Sequence, residues 1–467
     1  MKILIFGTGD YYNRYKKWFE AQEISALLDN SVQKQYTVID GREVLPPEEG
    51  IKLEYDIIVV LSFYVRQMKE QLISLGVDPE RIYHFFDLHR LFASHAVRRP
   101  LKYFSGAEEI IRCGQAGGTK VLLLSHDLTL GGPAIALFHA AQVLINHGYL
   151  VVFASVFDGP LREELMKLYI PVVVDENIQI TAMQETEWIK SFSMVICNTM
   201  NFHVFLSKRD TSIPVIWWLH DARFFYDGVD QNIMKMIRLE NLKVVSVGPV
   251  PAEAVRDFRP DMDCEELLYG VDDLSLNDDC HDRLTAEVRF ITIGFLEDIK
   301  GQDVLVEAVR ILPETIRHKC IFYIVGHDRT LFGEWIHKES AGLREIKFTG
   351  SVSRREIHTL FCSSDVLICP SRQDSMPTVA AEAMMHSVPC IVSDAVGTSA
   401  YIHGSEDGFV FPSENVQELA KIIEWCVTNK TQLKSIGRRA RRLYEQYFSM
   451  TVFEKRLMEV IHKPLGQ

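Results

Sequence analysis

The sequence predicts an α/β protein built from several domains, each with a mainly parallel β-sheet. Its 467 residues exceed the size of one ordinary domain and suggest two or three. Short apolar runs, such as residues 121–124 and 215–219, lead into polar or glycine-containing loops, and helical stretches separate the runs. This alternation is typical of parallel sheets that helices cover on both faces.

The stretch from residue 365 to 397 has the order strand, loop, helix, strand. Residues 366–369 are apolar and stop at Pro370, whereas residues 378–386 are rich in Ala, Met and Glu. Pro377 is predicted in the first turn of this helix. In an open parallel sheet, the loop after such a strand lies at the carboxyl edge, where ligands bind.

Two carboxylates, those of Asp374 and Glu382, flank the start of the predicted helix. Free backbone N–H groups at a helix start attract phosphate, and nearby carboxylates can accept hydrogen bonds from sugar hydroxyls. An acid pair alone is more typical of an ordinary polar helix start. The combination of a helix start with two nearby acids, however, suits a site for a sugar nucleotide.

These residues resemble the signature of the retaining glycosyltransferases of family 4. The shared pattern is Pro-Ser-x-x-Asp-x-x-Pro-x-x-x-x-Glu-Ala-Met, which begins here at Pro370. The family usually has two glutamates, and Asp374 takes the first position with the usual spacing to Glu382. The resemblance covers roughly residues 119 to 460 and implies the GT-B fold, in which two Rossmann-like domains face a cleft.

Two motifs of the middle of the chain fit the same resemblance. Gly131 and Gly132 follow a strand, where the family has a loop that faces the donor phosphates and the acceptor. By themselves the two glycines indicate only a tight turn. His220 follows the strand at residues 215–219, where a family histidine contacts the donor sugar. The alternative interpretation is a histidine satisfied by local backbone.

A third family segment, Gly-Arg-Leu followed by Lys-Gly, is only partly present. Lys300 and Gly301 match it, but Phe295 replaces the arginine that would help to neutralise the donor diphosphate. Two explanations are open. Either Lys300 suffices together with backbone donors, or another basic residue such as Arg372 substitutes for the arginine.

The resemblance implies a hexosyltransferase-like enzyme that uses a nucleotide-diphosphate sugar, UDP- or GDP-linked, and requires no cofactor or metal. Its implied catalytic residues are His220, Asp374 and Lys300. Asp374 would hold hydroxyls of the donor sugar, and Glu382 would bind the ribose. The implied donor-binding residues are Gly131, Gly132, Lys300, Ser375, Met376, Pro377, Thr378, Val379 and Glu382.

Residues 1–92 predict a small additional Rossmann-like α/β domain. An apolar strand runs into Gly7-Thr8-Gly9-Asp10, and a second strand ends at Asp29, about where a ribose-binding acid belongs. Tyr12 stands where a dinucleotide-binding motif needs its third glycine. We therefore favour a structural or interaction role over an NAD-type nucleotide site.

The remaining boundaries follow from composition and from the resemblance. Residues 93–118 are predicted as a linker, residues 119–280 as the acceptor-side domain and residues 281–467 as the donor domain. The family ends in helices that cross back to the acceptor-side domain. The polar, acidic residues 277–285 are interpreted as a hinge.

Composition narrows the class of partner and the location. The formal net charge of −13 argues against a general nucleic-acid binder. Nine cysteines without a Cys-x-x-Cys pair, several in apolar strands such as Cys197 and Cys369, indicate reduced thiols in the cytoplasm. No apolar run is long enough to span a bilayer. The basic residues 438–442 could contact the inner face of a membrane, although a solvated helix face is the preferred interpretation.

The sequence thus predicts transfer of a sugar to a glycan, lipid-linked or protein acceptor, in surface-polysaccharide or glycoconjugate synthesis. Two alternatives are a sugar-nucleotide epimerase on the same fold and a non-catalytic module that binds a sugar nucleotide or a partner enzyme. The oligomeric state is not predicted.

Overall fold

A computed structural model of the protein describes residues 1–92, 98–113, 118–275 and 286–463. Within these residues, three mainly parallel sheets follow one another along the chain. The predicted hinge at residues 277–285 lies outside the described residues.

The first sheet has the strand order β3-β4-β2-β1-β5-β6, and only the short β3–β4 pair is antiparallel. The order reverses between β1 and β5, which opens a crevice at the carboxyl ends of these strands. The strands are β1 (Lys2–Phe6), β2 (Glu23–Leu28), β3 (Val38–Ile39), β4 (Arg42–Leu45), β5 (Ile57–Val60) and β6 (Ile82–His84). The helices are α1 (Asp10–Tyr15), α2 (Pro47–Gly50), α3 (Val65–Ser74) and α4 (Leu88–Phe92).

The second sheet has the order β14-β13-β12-β11-β8-β9-β10-β7, and only the β7–β10 pair is antiparallel. Its strands are β7 (Lys102–Phe104), β8 (Lys120–Asp127), β9 (Leu150–Phe157), β10 (Val172–Val174), β11 (Met194–Asn198), β12 (Val215–Leu219), β13 (Leu242–Ser246) and β14 (Cys264–Glu266). Its helices are α5 (Ala107–Arg112), α6 (Gly132–Asn146), α7 (Leu161–Lys167), α8 (His203–Ser207), α9 (Gln231–Met236) and α10 (Pro249–Arg256).

The segment predicted as a linker is partly built into this second sheet. Strand β7 and helix α5 both lie within residues 93–118, and β7 pairs with β10 at the edge of the sheet. The glycines and prolines of the segment suggested a connector, but the Lys-Tyr-Phe strand is too short to give a periodic signal. The domain boundaries themselves remain predictions.

The third sheet is parallel throughout, with the order β17-β16-β15-β18-β19-β20. Its strands are β15 (Val288–Ile293), β16 (Cys320–Val325), β17 (Ile346–Gly350), β18 (Val366–Cys369), β19 (Cys390–Ser393) and β20 (Phe409–Phe411). Its helices are α11 (Gln302–Ile311), α12 (Glu314–Arg317), α13 (Leu331–Glu339), α14 (Arg354–Ser363), α15 (Thr378–Met385), α16 (Val416–Thr428) and α17 (Lys430–Leu443), and α18 (Met450–His462) ends the described chain.

Helix α18 packs against the second sheet rather than the third. The ring of Phe453 stacks on buried Trp218 of β12 at a centroid distance of 5.7 Å. Lys243 of β13 donates a hydrogen bond of 2.6 Å to the carbonyl oxygen of Val460 near the end of the helix. The end of the chain is therefore anchored on the domain that precedes the cleft.

The basic run at residues 438–442 is tied into the structure at its centre. Arg441 donates hydrogen bonds to both carboxylate oxygens of Asp273 and one of 2.7 Å to the carbonyl oxygen of Met385. Arg438 and Arg442 are exposed. Membrane contact through these residues stays a prediction. Among the described residues, no helix has the length and apolar character needed to cross a bilayer.

A glycine in helix α17 provides a test of how this helix packs beside the end of α15. Gly437 is buried, and a Cβ atom there would overlap the backbone carbonyl of Ser387, just after α15. We expect Gly437→Ala to lower the free energy of unfolding by about 1–3 kcal/mol through overpacking, although alanine favours helix by about 1 kcal/mol. Urea denaturation measures the change. Exposed Ser435→Ala is the control, and an equally stable Gly437→Ala protein would contradict the packing.

Candidate active site at the interdomain cleft

A cavity of about 370 Å³ lies between the carboxyl edges of the second and third sheets. The third sheet reverses its strand order between β15 and β18, and the loops after these two strands form one wall. The cavity thus lies at a switch point where α/β sheets bind ligands. The predicted site residues that line it are Gly132, His220, Lys300, Asp374, Ser375, Met376, Pro377, Thr378 and Val379.

Gly131 and Glu382 do not line this cavity. Gly131 caps α6 one residue before the cavity wall, and its N–H points to the hydroxyl of Thr129 at 3.4 Å. Glu382 lines an adjoining cavity of about 200 Å³, which shares Gly132 and Thr378 with the first. The predicted residues therefore cluster around two neighbouring spaces.

Lys300 and Asp374 form an ion pair across the switch point. The ammonium Nζ lies 2.6 Å from the carboxylate Oδ2, and the side chains are 33% and 14% exposed. Burial favours the neutral amine, but the charge and hydrogen bond of Asp374 outweigh it and raise the pKa of Lys300. Lys300 is therefore a fixed cation at neutral pH.

Gly301 allows Lys300 to sit in this position. Its φ is +66°, and a Cβ atom there would overlap the carbonyl oxygen of Pro370, at the end of β18. Only glycine adopts this conformation with so little space. Glycine after Lys300 is thus a geometric requirement for bringing the loops after β15 and β18 together.

The loop that carries Asp374 is held from its other side by residues after β19. The N–H of Asp374 donates to Ala395, and the N–H of Gly397 donates to the Asp374 carbonyl at 2.9 Å. A Cβ atom at Gly397 would overlap the carbonyl oxygen of Ser375. Two backbone hydrogen bonds to residues 395–397 therefore fix the main chain of Asp374, and Lys300 fixes its carboxylate.

Two helix starts meet at the cavity. Helix α6 begins at Gly132 and α15 at Thr378, and a Cβ atom at Gly132 would lie 3.7 Å from Cγ2 of Thr378. Pro377 is the N-cap of α15 rather than part of its first turn, because its ψ of 124° is extended. The first backbone N–H groups of a helix lack intrahelical acceptors and carry partial positive charge. Both helices therefore favour an anionic group between them.

His220 is buried beside Trp218, with the ring centroids 4.7 Å apart. Burial lowers the pKa of His220 to about 3, so the imidazole is neutral near pH 7. Among the described residues, its buried Nε2 has no hydrogen-bond partner. A neutral ring with an unsatisfied nitrogen in the cavity wall is suited to hydrogen-bond a polar ligand.

Glu382 has a partner that the sequence analysis missed. Its Oε1 accepts a hydrogen bond of 3.0 Å from Arg354, whose side chain is 59% exposed while that of Glu382 is 8% exposed. Arg354 begins α14, which Ser353 and Glu356 cap. The capping pattern predicts this helix start, but no sequence signal links it to a carboxylate twenty-eight positions later.

The position of the missing arginine has no cationic substitute in the cavity. Phe295 is 62% exposed, and Lys300 is the one Lys or Arg side chain among the residues that line the cavity. Arg372 instead donates to both carboxylate oxygens of Asp303, at 2.9 and 2.6 Å, and to Glu414. Of the two explanations, the structure disfavours substitution by Arg372.

The cavity also contains aromatic residues that the sequence analysis did not identify. Phe63 comes from the first sheet's domain, whereas Phe224 and Phe225 follow β12. The N–H of Phe224 donates a hydrogen bond of 2.9 Å to the side-chain oxygen of Gln373, next to Asp374. All three domains of the chain therefore contribute to the cavity wall.

The buried state of His220 predicts a pH effect on stability. An unfolded chain takes up a proton near pH 6.5 that folded His220 does not bind until about pH 3. Stability is therefore lost as the pH falls through this window, by up to about 1.4 kcal/mol per pH unit. We expect His220→Gln to show a shallower loss than the wild type in urea denaturation. His147→Gln, which changes an exposed histidine, is the control, and equal slopes for His220→Gln and the wild type would contradict the burial.

Three family models match consecutive parts of the chain. Residues 281–443 match the model described as Glycosyl transferases group 1, and residues 117–246 match Glycosyl-transferase family 4. Residues 1–83 match a different family, described as C2185-like, N-terminal.

Curated relatives include two glycosyltransferases of polysaccharide synthesis. The chain is 27% identical over 119 residues to the lipopolysaccharide glucosyltransferase WaaG of Escherichia coli, covering 26% of this chain and 31% of the relative. It is 23% identical over 242 residues to the amylovoran biosynthesis glycosyltransferase AmsK of Erwinia amylovora, covering 50% and 56%. The chain thus spans about a third to just over half of the length of these relatives.

Among solved structures, Anabaena HepE in complex with UDP and glucose has a similar fold. Its TM-score is 0.61 at 18% identity, and the match covers 74% of this chain and 100% of that one. The chain therefore combines glycosyltransferase domains in a GT-B fold with an additional N-terminal α/β domain.

Proposed function

We propose that the protein is a retaining glycosyltransferase that moves a sugar from a nucleotide-diphosphate sugar to a glycan, lipid-linked or protein acceptor. One observation carries the proposal. Lys300, Asp374, His220 and two helix starts surround a single cavity between the carboxyl edges of two sheets. Each group matches a separate part of a donor of this class.

The diphosphate of the donor would bind between Lys300 and the starts of α6 and α15. Fixed cations and backbone N–H groups stabilise negative charge that develops on a leaving group, because they need no reorganisation during the reaction. With Phe295 in place of an arginine, the helix starts carry a larger share of this task. The glycine at 132 lets the backbone of α6 approach closely.

The two sugar rings of the donor would be held by different groups. Asp374 can accept hydrogen bonds from hydroxyls of the transferred sugar, and His220, whose Nε2 is unsatisfied, lines the same cavity. Glu382 would bind the ribose, with Arg354 orienting its carboxylate. With these assignments, the transferred sugar would lie in the cavity of about 370 Å³ and the ribose toward the adjoining cavity of about 200 Å³.

Retention would follow from attack on the face that the diphosphate leaves. The bond from the anomeric carbon to the diphosphate breaks while the acceptor oxygen bonds to that carbon, and the acceptor proton passes to the departing diphosphate oxygen. Asp374 is engaged by Lys300 at 2.6 Å. We therefore assign it to substrate binding rather than to the nucleophile of a double displacement.

The comparisons support the setting of the reaction. The relatives act in lipopolysaccharide and amylovoran synthesis by name, and the similar solved structure contains UDP. We propose that the donor is a UDP-sugar rather than a GDP-sugar. We also propose that the protein acts in surface-glycan assembly at the cytoplasmic face of the membrane. Both matching models of the cleft domains are glycosyltransferases, which supports transfer over an epimerase or a binding module.

Two substitutions test the donor site. We expect Lys300→Ala and Glu382→Ala each to weaken stabilisation by a bound UDP-sugar and to lower UDP release in the presence of acceptor, about a hundredfold for Lys300→Ala. Differential scanning fluorimetry and a UDP-release assay measure the two effects. Lys421→Ala removes an exposed lysine of α16 as the control. Wild-type donor affinity and turnover in both variants would refute the assignment.

The stereochemistry of the product gives an independent test. With an α-linked donor, we expect an α-linked product, because the acceptor bonds to the face from which the diphosphate departs. Proton NMR of the anomeric signal in the first minutes of the reaction identifies the linkage. A β-linked product would show inversion and would contradict the proposed mechanism.

A further inference from the structure

A larger cavity, of about 730 Å³, lies at the crevice of the first sheet. Its lining includes the loop at residues 7–11 after β1 and the loop at residues 61–64 after β5, which are the strands between which the order reverses. Residues of the third-sheet domain, Glu297 and the stretch at 329–331, close its opposite side. Two domains therefore form this cavity together.

The larger cavity adjoins the transfer cavity. Phe63 and Glu297 line both of them. Phe63 packs against Phe224 and Phe225 at ring distances of 4.8 and 4.6 Å, and these two rings stack on each other at 4.3 Å. The junction between the cavities is thus an aromatic surface that belongs partly to the first domain.

Contacts between the first and second domains hold Phe63 in place in the wall of the transfer cavity. Arg14 of α1 pairs with Asp127 at the end of β8 at 3.0 Å. The ring of Tyr15 packs edge-on against Phe157 at 5.4 Å. Asp127 also accepts hydrogen bonds from the N–H and the hydroxyl of Thr129, which lies just before Gly131 and Gly132. The contact surface between these domains therefore reaches the loop that faces the donor.

The composition of the larger cavity disfavours an anionic nucleotide. Its lining carries more carboxylates than cations, namely Asp10, Asp29, Glu297 and Glu334 against Lys34 and Arg329. Repulsion between carboxylates and a diphosphate opposes binding.

Asp29, the predicted ribose acid, is already engaged. It accepts hydrogen bonds from Thr8 N–H at 3.0 Å, from the Thr8 hydroxyl, and from Ser31 N–H at 2.9 Å, and it pairs with Lys34. The carboxylate thus holds the glycine-containing loop in place. This arrangement disfavours the NAD-type site that the strand and glycine pattern suggested.

What the cavity offers instead is neutral polar chemistry beside an aromatic surface. Ser62, Gln67, Gln71 and Asn30 line it, and the amides of Asn30 and Gln71 hydrogen-bond each other. Small-molecule sites combine aromatic walls with a few placed polar groups. Hydroxyl-rich ligands match amides, which both donate and accept hydrogen bonds, and carboxylates, which accept them.

We propose that the first domain supplies a subsite for a glycan acceptor, which passes the aromatic junction and lies in the larger cavity. This inference rests on the proposed transferase function. The acceptor's reactive hydroxyl would lie in the transfer cavity, with Phe63 beneath a sugar ring at the junction. Phe63 is thereby a specificity-determining residue contributed from outside the two glycosyltransferase domains.

The test uses the full-length protein loaded with UDP on an array of short neutral and acidic oligosaccharides. We expect the wild type to bind a subset of them, and Phe63→Ala to bind that subset about tenfold more weakly. Gln67→Ala, an exposed position of α3, provides a second variant that leaves the aromatic packing intact. Tyr36→Ala is the control, because Tyr36 is exposed in the same domain and lines neither cavity.

Donor binding, measured by stabilisation with a UDP-sugar, separates the two proposals. Unchanged donor binding in Gln67→Ala, with weaker oligosaccharide binding in both Phe63→Ala and Gln67→Ala, supports the subsite. Oligosaccharide binding that is absent in the wild type, or unchanged in both variants, overturns it while leaving the donor site standing. Stabilisation by NAD⁺ that Gln67→Ala abolishes would also overturn it. If the wild type showed no donor binding, that result would refute the proposed function itself.

Discussion

The ion pair between Lys300 and Asp374 forms because the loops after β15 and β18 meet at one point. The other groups of the cleft surround this point. A lysine whose side chain is two thirds buried is less favourable without a partner, because its ammonium loses part of its hydration. Glycine at 301 permits the close approach of the two loops, and backbone hydrogen bonds to Ala395 and Gly397 hold the main chain of Asp374. The site is thus organised by local packing before substrate enters.

The charge in the cleft comes from the ion pair and from the two helix starts. Because Asp374 balances the charge of Lys300, the starts of α6 and α15 add to the attraction of Lys300 for a diphosphate. His220 contributes no charge, because burial lowers its pKa to about 3. A polar cavity with few charged side chains can distinguish ligands by hydrogen-bond geometry more than by long-range attraction.

Sequence reasoning located the elements of the cleft because they are local. The strand, loop and helix around Asp374, the glycines before α6 and the Lys-Gly turn each follow from residues within a short window. The pairing of Glu382 with Arg354, the engagement of Arg372 by Asp303 and the position of Phe63 depend on how separate elements are placed in space. No pattern within one segment carries that information. The short strand β7 was missed for another reason, because three residues give too little periodicity.

The anchoring of α18 on the second sheet has a consequence for how such proteins can be recombined. The chain passes to the third sheet between residues 275 and 286 and returns before α18, where Phe453 stacks on Trp218. A chimera joined at a single point would bring a foreign last helix to this tryptophan and leave a mismatched apolar surface. A chimera that exchanges donor preference between relatives therefore needs two junctions, one at each point where the chain passes between the two domains. Helix α18 must then come from the same parent as the second-sheet domain.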